Sequence, residues 1–174
     1  MRLHFTSIIL ICVLSSLAQQ DTLVFPTVEK SEVSKRVARS CEELKVPFHK
    51  EANLELLEFA IEWRGTPYRY GGTTKKGTDC SGFTLNAYQE IYEKTIPRVS
   101  RDVYAKCLPI KKHALYQGDL VFFATAGDGR VTHLGIYLWG GYFVHASSSK
   151  GVMVSNLKQK YWLKAFLSGG AWLD

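Results

Sequence analysis

The chain contains little that would mark it as a fibrous, disordered or repetitive protein. Only 5 of its 174 residues are proline and 14 are glycine, and they follow no collagen-like period. Internal repeats and low-complexity segments are both missing from the sequence. With 46% hydrophobic and 22% charged residues, the composition predicts one compact domain with a core of its own.

The sequence also lacks a dense block of charge of one sign. The net charge is +6, but the lysines and arginines are scattered rather than grouped with stacking aromatic residues. A nucleic-acid partner is therefore not expected. A basic protein is attracted to polyanions such as wall polymers or acidic peptides, although the same charge can serve solubility alone.

Long hydrophobic runs are missing apart from one short apolar stretch near the N-terminus. Residues 5–17 follow the basic Arg2 and end in the small-x-small pattern Ser16-Leu17-Ala18. This run is too short to span about 30 Å of hydrocarbon comfortably. We therefore predict that residues 1–18 are a removable signal peptide rather than a buried N-terminal helix. The mature protein is then exported to the periplasm or the extracellular space, with no membrane span after cleavage.

Cysteine is scarce, and one of the four residues, Cys12, lies inside the predicted signal peptide. The other three are Cys41, Cys80 and Cys107, an odd number that leaves at least one free thiol to explain in an exported chain. Cys41 and Cys107 could form a disulfide in an oxidising compartment. We favour the alternative that both are buried small hydrophobic residues.

Residues 19–50 differ in composition from the rest of the mature chain. They are polar, interrupted by Pro26 and Pro47, and too few for an independent core. We predict an N-terminal tail or linker with one short helix around residues 31–44. Residues 51–174 are predicted to form the main folded domain.

Within this domain the apolar period changes from helical to strand-like. Asn53 can cap a helix that ends at Gly65, and a second helix should begin at Asp79 or Cys80 and run to about Glu93. Helices followed by a run of antiparallel strands predict an α+β fold. The predicted strands are residues 119–125, 131–139, 142–147, 151–157 and 161–167.

Cys80 lies at the predicted start of the second helix, in the motif TDCSGF, residues 78–83. Backbone N–H groups and the positive end of the helix dipole at such a position stabilise a thiolate and lower its pKa. The same N–H groups can receive the oxyanion of a tetrahedral intermediate. Asp79, at the cap position, would fix the first turn.

A thiolate needs a proton acceptor that later protonates the leaving amine, and histidine suits both steps. His133 and His145 lie in segments that can form a hairpin. If residues 139–141 make a three-residue loop, His145 lies opposite Gly135 and diagonal to His133 on the same face, roughly 7–8 Å away. A two-residue loop would put the two histidines on opposite faces. Each of these residues alone has a structural explanation, but together they predict a nucleophile, a base and an orienting group.

Six segments of the chain resemble, in order, the NlpC-type cell-wall cysteine peptidases of the papain-like group. Together they indicate a resemblance over roughly residues 52–173. The segments are GTPYRYGG (65–72), DCSGF (79–83), IPRVS (96–100), GDLVFF (118–123), HLGIY (133–137) and FVHASSSKGV (143–152).

The resemblance implies a papain-like NlpC-type fold, with N-terminal helices packed on a central antiparallel sheet. It implies hydrolysis of peptidoglycan stem peptides between γ-linked D-glutamate and the following diamino acid, with no metal or cofactor. Cys80 is then the nucleophile, His133 the base and His145 the third polar residue. Tyr68 is implied to lie close to the nucleophile, while Asp79 and Ser81 line the substrate groove. We expect a monomer that acts on wall peptides.

Two departures from the family pattern and two alternatives stand beside this interpretation. Residues 101–104 read RDVY where many members carry a glutamine, and residues 19–50 are too few for a wall-binding module. One alternative is an amidase or acyltransferase of the same superfamily. The other is a non-catalytic zinc or wall-binding module in which Cys80, His133 and His145 are metal ligands, although short Cys-x-x-Cys pairs are missing.

Overall fold

Helices precede most of the strands along the chain, as the sequence predicts. The computed structural model describes residues 27–173, and the predicted signal peptide, residues 1–18, lies outside this range. None of the helices in these residues is long and apolar enough to cross a membrane. The helices are α1 Thr27–Leu44, α2 Leu54–Trp63, α3 Cys80–Tyr92, α4 Ser100–Lys106 and α5 Lys160–Ala165, with a 3-10 turn at Lys112–Ala114.

The strands form one small hairpin and one large antiparallel sheet. The hairpin pairs two-residue strands just before α3, and the six-stranded sheet has the order β3-β8-β4-β5-β6-β7. Helices packed on an antiparallel sheet confirm the predicted α+β class. The strands are β1 Thr73–Thr74, β2 Gly77–Thr78, β3 Leu108–Ile110, β4 Leu120–Phe123, β5 His133–Tyr137, β6 Tyr142–Ser147, β7 Gly151–Asn156 and β8 Phe166–Ala171.

The large sheet separates two apolar clusters. The larger cluster joins α2 and α3 to one face of the sheet, through fully buried residues such as Phe83, Phe122 and Leu134. The smaller cluster, on the opposite face, contains Phe123 and Phe143. Burying each such side chain contributes about 1.5–3 kcal/mol, so both faces stabilise the fold.

Side-chain caps begin the two helices that carry the core. The carboxamide oxygen of Asn53 accepts a hydrogen bond from the backbone N–H of Leu56 at 3.0 Å, as expected for the cap of α2. The carboxylate of Asp79 accepts from the N–H of Gly82 at 2.8 Å and caps α3. Helix α3 therefore begins at Cys80, the position predicted for it.

Helix α1, which belongs to the predicted N-terminal tail, packs on the rest of the chain. In α1, the side chains of Val37, Cys41 and Leu44 are buried in the larger cluster. The Arg36 guanidinium also contacts both carboxylate oxygens of Glu58 on α2, at 2.6 and 2.9 Å. Residues 27–44 thus form a helix packed against α2, longer than the one expected at residues 31–44.

One predicted strand is wrong over most of its length. Residues 160–165 form helix α5, and the strand that follows, β8, begins only at Phe166. Trp162 and Ala165, three residues apart, both pack on the smaller cluster, whereas Tyr161 and Leu163 are exposed. That spacing belongs to a helix, although a short run of aromatic and apolar residues favours a strand from sequence. Helix α4 and edge strand β3 were not predicted.

Candidate active site

Cys80 lies at the N-terminus of α3, where that helix meets β5. Its side chain is buried, with the residue 7% exposed. The backbone N–H groups of Leu134 and Ser81 lie close enough to its thiol to favour the charged form. Since Leu134 directly follows His133, this contact brings the thiol beside the start of β5.

The prediction of a lowered thiol pKa is wrong. Burial raises the pKa of Cys80, the nearby Asp79 carboxylate raises it further, and the backbone N–H groups only partly offset both effects. A helix start stabilises a thiolate, but removing the sulfur from water disfavours the charged form more strongly. The neutral thiol is therefore the favoured form of this side chain at neutral pH.

His133 and His145 are hydrogen-bonded to each other on the predicted hairpin. Their Nε2 and Nδ1 atoms lie 2.9 Å apart. The pairs Ile136–Val144 and Tyr137–Phe143 give the register that a three-residue loop requires. Gly140 and Gly141 have φ angles of +59° and +93°, which glycine adopts at no steric cost. The predicted loop length and the shared face of the two histidines are confirmed.

Gly135 allows the two hairpin strands to hold these imidazoles close together. A Cβ atom at this position would lie 2.8 Å from the carbonyl oxygen of Val144 and 3.0 Å from the Cβ of His145. Such contacts are shorter than van der Waals distance. The glycine in the HLGIY motif is therefore needed for close packing opposite His145.

Ser155 on β7 extends the hydrogen-bonded pair to three side chains. Its Oγ lies 2.9 Å from the Nε2 of His145. If the Nε2–H of His145 donates to Ser155, the Nδ1 of His145 accepts from the Nε2–H of His133. The Nδ1 of His133 then carries a lone pair, the form that a general base needs. This order of donors fixes the tautomer of both histidines.

Burial keeps both imidazoles neutral. It lowers the pKa of His133 to about 4. It also lowers the pKa of His145 well below its ordinary value, and the neighbouring His133 adds to that effect. Aromatic rings cover the pair: Trp162 stacks on His133 with ring centroids 5.4 Å apart, and Phe143 lies 5.0 Å from His145. At neutral pH, His133 is therefore available to accept a proton.

The carboxylate of Asp79 is fully engaged within the protein. Its oxygens accept from both terminal nitrogens of Arg98, at 2.8 and 2.9 Å, and from the backbone N–H of Gly71 at 2.7 Å. Burial alone would raise the pKa of Asp79, but Arg98 and the backbone donors outweigh it and hold the pKa below its usual range. The hydroxyl of Ser81 donates to Asp79 and accepts from Arg98 at 2.8 Å. A substrate amine could reach either residue only by competing with Arg98.

Tyr68 lies beside the cap of α3, next to Cys80. It pairs with Thr78 in an isolated parallel bridge, in which the N–H of Thr78 donates to the carbonyl of Pro67. Burial raises the pKa of Tyr68, and the nearby Cys80 and Asp79 raise it further. The phenol ring therefore lies in the same cavity as Cys80, which leaves the predicted role of Tyr68 in substrate binding as a proposal.

Two cavities border the site, and the consecutive residues Thr132 and His133 line one cavity each. The first, about 480 Å³ in volume, is lined by Cys80, Tyr68 and Arg98 and is named the Cys-side cavity. The second, about 310 Å³, is lined by His133, Lys150 and Tyr161 and is named the His-side cavity. Cys80 thus borders one cavity and His133 the other.

The geometry of the histidines argues against the zinc alternative. The Nε2 of His133 and the Nδ1 of His145 are directed at each other, so this pair of atoms cannot bind a common metal ion in this arrangement. Between residues 27 and 173, no group of three or more histidine, cysteine or acidic side chains could hold a metal ion. The three residues therefore have the arrangement of a nucleophile and a histidine pair.

Comparison with known proteins identifies the family. The model of the NlpC/P60 family matches residues 65–170, which include Cys80, both histidines and Ser155. The chain belongs to the NlpC/P60 family. The resemblance inferred from the six motifs is confirmed, and so is the expected NlpC-type fold.

Relatives and solved structures of NlpC/P60 proteins agree with this assignment. The chain is 45% identical to the probable endopeptidase NlpC of Escherichia coli K12 over 60% of its own length and 68% of the relative's. It is 38% identical to the Escherichia coli K12 murein DD-endopeptidase MepS/murein LD-carboxypeptidase, over 64% of its length and 58% of that relative's. An NlpC/P60 protein from Bacillus cereus superposes with a TM-score of 0.63 at 30% identity, covering 69% of this chain and 40% of the other. The predicted enzyme class, a cysteine-type peptidase, is confirmed at the level of the family.

Three residues at this site were not predicted from the sequence to belong to it. Arg98 lies in the IPRVS motif, which carried the family resemblance without indicating a partner for Asp79. Ser155 lies in a segment with no motif, ten residues after His145. Trp162 lies in a segment that was predicted to be a strand. Only the fold brings these three side chains to the site.

Proposed function

We propose that this protein is an exported cysteine endopeptidase that hydrolyses peptidoglycan stem peptides at the bond between γ-linked D-glutamate and the following diamino acid. The observation that carries the proposal is the hydrogen-bonded pair of His133, at the start of β5, and His145, on β6, near the thiol of Cys80. Export rests on the signal-peptide pattern of residues 1–18. Peptidoglycan as substrate rests on the family and on relatives named for murein.

The proposed reaction begins with proton transfer. The neutral His133 takes the proton of the Cys80 thiol on Nδ1, and the thiolate attacks the carbonyl carbon of the scissile amide. Backbone N–H groups at the start of α3 receive the negative charge that develops on the carbonyl oxygen. His133 then gives its proton to the leaving amine as the C–N bond breaks, which leaves a thioester on Cys80.

Hydrolysis of the thioester completes the cycle. His133 takes a proton from a water molecule, which attacks the thioester carbonyl, and Cys80 leaves and recovers its proton from His133. His145 stabilises the imidazolium that forms twice in each cycle, since its Nδ1 accepts from the Nε2–H of His133. No step requires a metal ion or an organic cofactor.

The choice of bond has a second candidate, because one relative is named a murein DD-endopeptidase and LD-carboxypeptidase. A cut in the cross-link, or at the end of the stem, would use the same thiol and histidines. We favour the γ-D-glutamyl bond because the motifs of the chain resemble family members of that specificity. The products decide between these bonds.

The test is digestion of a defined stem peptide and of cross-linked muropeptides, with the products identified by mass spectrometry. Cys80→Ala should abolish cleavage. Cys107→Ala serves as the matched control, since Cys107 is also a buried cysteine and lines neither cavity. Cleavage after D-glutamate that only Cys80→Ala removes would support the proposal. Failure to cut either substrate would overturn it.

A further inference from the structure

The residues that line the His-side cavity include a positive charge and no negative one. The polar residues Ser147, Ser149, Gln159 and Tyr161 line it, together with the basic residue Lys150. None of the residues that line it is an aspartate or a glutamate. The cavity can therefore accept an anionic group, but it offers no carboxylate to a cationic group.

Lys150 is the only formally charged side chain among the cavity's lining residues. Within residues 27–173 it takes part in no salt bridge. Its turn is fixed on both sides: the hydroxyl of Ser147 accepts from the N–H of Ser149, and the N–H of Val152 donates to the carbonyl of Thr66 at 2.9 Å. The backbone that carries Lys150 is therefore fixed, and its exposed side chain has no ionic partner within these residues, so its charge is available to a ligand.

The chemistry of amide cleavage assigns one half of the substrate to each cavity. The nucleophile must reach the carbonyl carbon, so the acyl half lies in the Cys-side cavity. The proton donor must be within hydrogen-bond reach of the leaving nitrogen, so the amine half lies on the side of His133. The His-side cavity therefore receives the residue that follows the scissile bond.

We propose that the His-side cavity is a subsite for a leaving diamino acid whose side chain ends in a free carboxylate, with Lys150 as the residue that binds this carboxylate. The inference rests on the proposed function, which puts a diamino acid on the leaving side. A side chain of the diaminopimelate type carries both a carboxylate and an amine, so it brings Lys150 an anionic partner. A lysine side chain brings only a second ammonium, which Lys150 repels.

The experiment compares two stem tetrapeptides that share the acyl half L-Ala-γ-D-Glu and the final D-alanine. They differ only in the third residue, meso-diaminopimelate or L-lysine. The ratio of their kcat/KM values is measured for the purified protein and for Lys150→Gln and Lys150→Glu. Lys111→Gln is the matched control, because it removes the same charge from an exposed lysine that lines neither cavity.

We expect the unaltered protein to cleave the diaminopimelate peptide faster. Lys150→Gln should lower the ratio about two- to fivefold, the usual strength of one exposed ion pair. Lys150→Glu should lower it further, because the new carboxylate attracts the lysine side chain, and Lys111→Gln should leave the ratio unchanged. Because the ratio compares two substrates in one protein, a partly unfolded variant does not alter it.

Two other results would overturn the inference in distinguishable ways. If both peptides are cleaved after D-glutamate and the ratio is the same in all four proteins, the proposed function stands and the role of Lys150 is wrong. If the unaltered protein cleaves neither peptide, the proposed function is wrong, and the proposed subsite, which depends on it, is wrong as well.

Discussion

The indole of Trp162 lies stacked on the imidazole of His133, with 26° between the ring planes. Its edge also contacts the ring of His145, at a centroid distance of 4.8 Å. Helix α5 thus covers the hydrogen bond between the two histidines. If the two histidines have the proposed roles, this contact lets the short helix between β7 and β8 influence the reaction without contributing a reacting atom.

We predict that Trp162→Ala shifts the acid limb of the pH–rate profile to higher pH. Burial lowers the pKa of His133 to about 4, and the reaction requires its neutral form. Removing the indole admits water and moves this pKa back toward its ordinary value near 6.5. Activity should therefore begin to fall at a higher pH as the solution is acidified. The measurement is kcat/KM against pH, which reports groups of the free enzyme.

Trp162→Phe controls for the loss of packing. It keeps an aromatic ring over His133, so its acid limb should lie between those of the parent and Trp162→Ala. An unchanged limb in both variants, with kcat/KM lowered equally at every pH, would mean that Trp162 has only a packing role.

We predict that His145→Ala lowers kcat/KM by about a hundredfold, the usual order for losing a residue that orients a catalytic group. The imidazole of His133 loses the acceptor that fixes its tautomer and stabilises its protonated form. His145→Asn keeps an acceptor near the position of Nδ1 and should recover part of the activity. Equal activities of His145→Ala and the parent would exclude the orienting role.

Ser155→Ala should have a smaller effect, about tenfold on kcat/KM, because it removes only the outer partner of His145. A distinct signature should accompany this loss. In the parent, the ¹⁵N chemical shifts of the imidazoles should report the Nε2–H tautomer for both histidines, and Ser155→Ala should give mixed tautomers for His145. Ser155→Thr keeps the hydroxyl and should retain one tautomer. If the spectrum of Ser155→Ala is the same as that of the parent, the hydroxyl of Ser155 does not select the tautomer of His145.

The ion pair of Asp79 with Arg98 should make stability depend on pH. The pKa of Asp79 is lower in the folded protein than in the unfolded chain, so its contribution is present above the unfolded pKa of about 3.9 and is lost as the pH falls through the folded value. Arg98→Gln should lower the free energy of unfolding at pH 7 by about 1–3 kcal/mol, less than for a fully buried pair because the Arg98 side chain is 35% exposed.

Urea unfolding at pH 7 and pH 3 tests this prediction. The difference in stability between the parent and Arg98→Gln should be smaller at pH 3, because Asp79 of the unfolded chain is then largely protonated and less of the contribution of the pair remains. Arg101→Gln, at a neighbouring exposed arginine outside the pair, should change stability little at either pH. A difference that is equal at both pH values would show that Arg98 acts through packing alone.

Much of the fold and the centre of the site could be predicted because they depend on local signals. Asn53 and Asp79 are helix caps, and both begin helices. The Gly140-Gly141 pair closes a three-residue hairpin loop, and strand alternation then puts His133 and His145 on one face. Each of these inferences uses residues within one element or one hairpin, so the sequence was sufficient.

The rest depends on contacts between distant segments. Asp79 and Arg98 are 19 residues apart, and no local pattern pairs them. Helix α5 is too short to show a clear helical period, so its contact with the two histidines could not be predicted from the sequence. The raised pKa of Cys80 follows from its burial under the sheet, which outweighs the helix start that the sequence did reveal. Burial is a property of the whole fold.

The proposed reaction requires Cys80 to form a thioester with the acyl half of a stem peptide. This thioester can be trapped by acid quenching of the reaction with an L-Ala-γ-D-Glu-diaminopimelate peptide, followed by mass spectrometry of the digested protein. We expect the peptide containing Cys80 to gain the mass of the L-Ala-γ-D-Glu acyl group, and Cys107 and Cys41 to remain unmodified. Cleavage that continues undiminished in Cys80→Ala would contradict the proposed reaction.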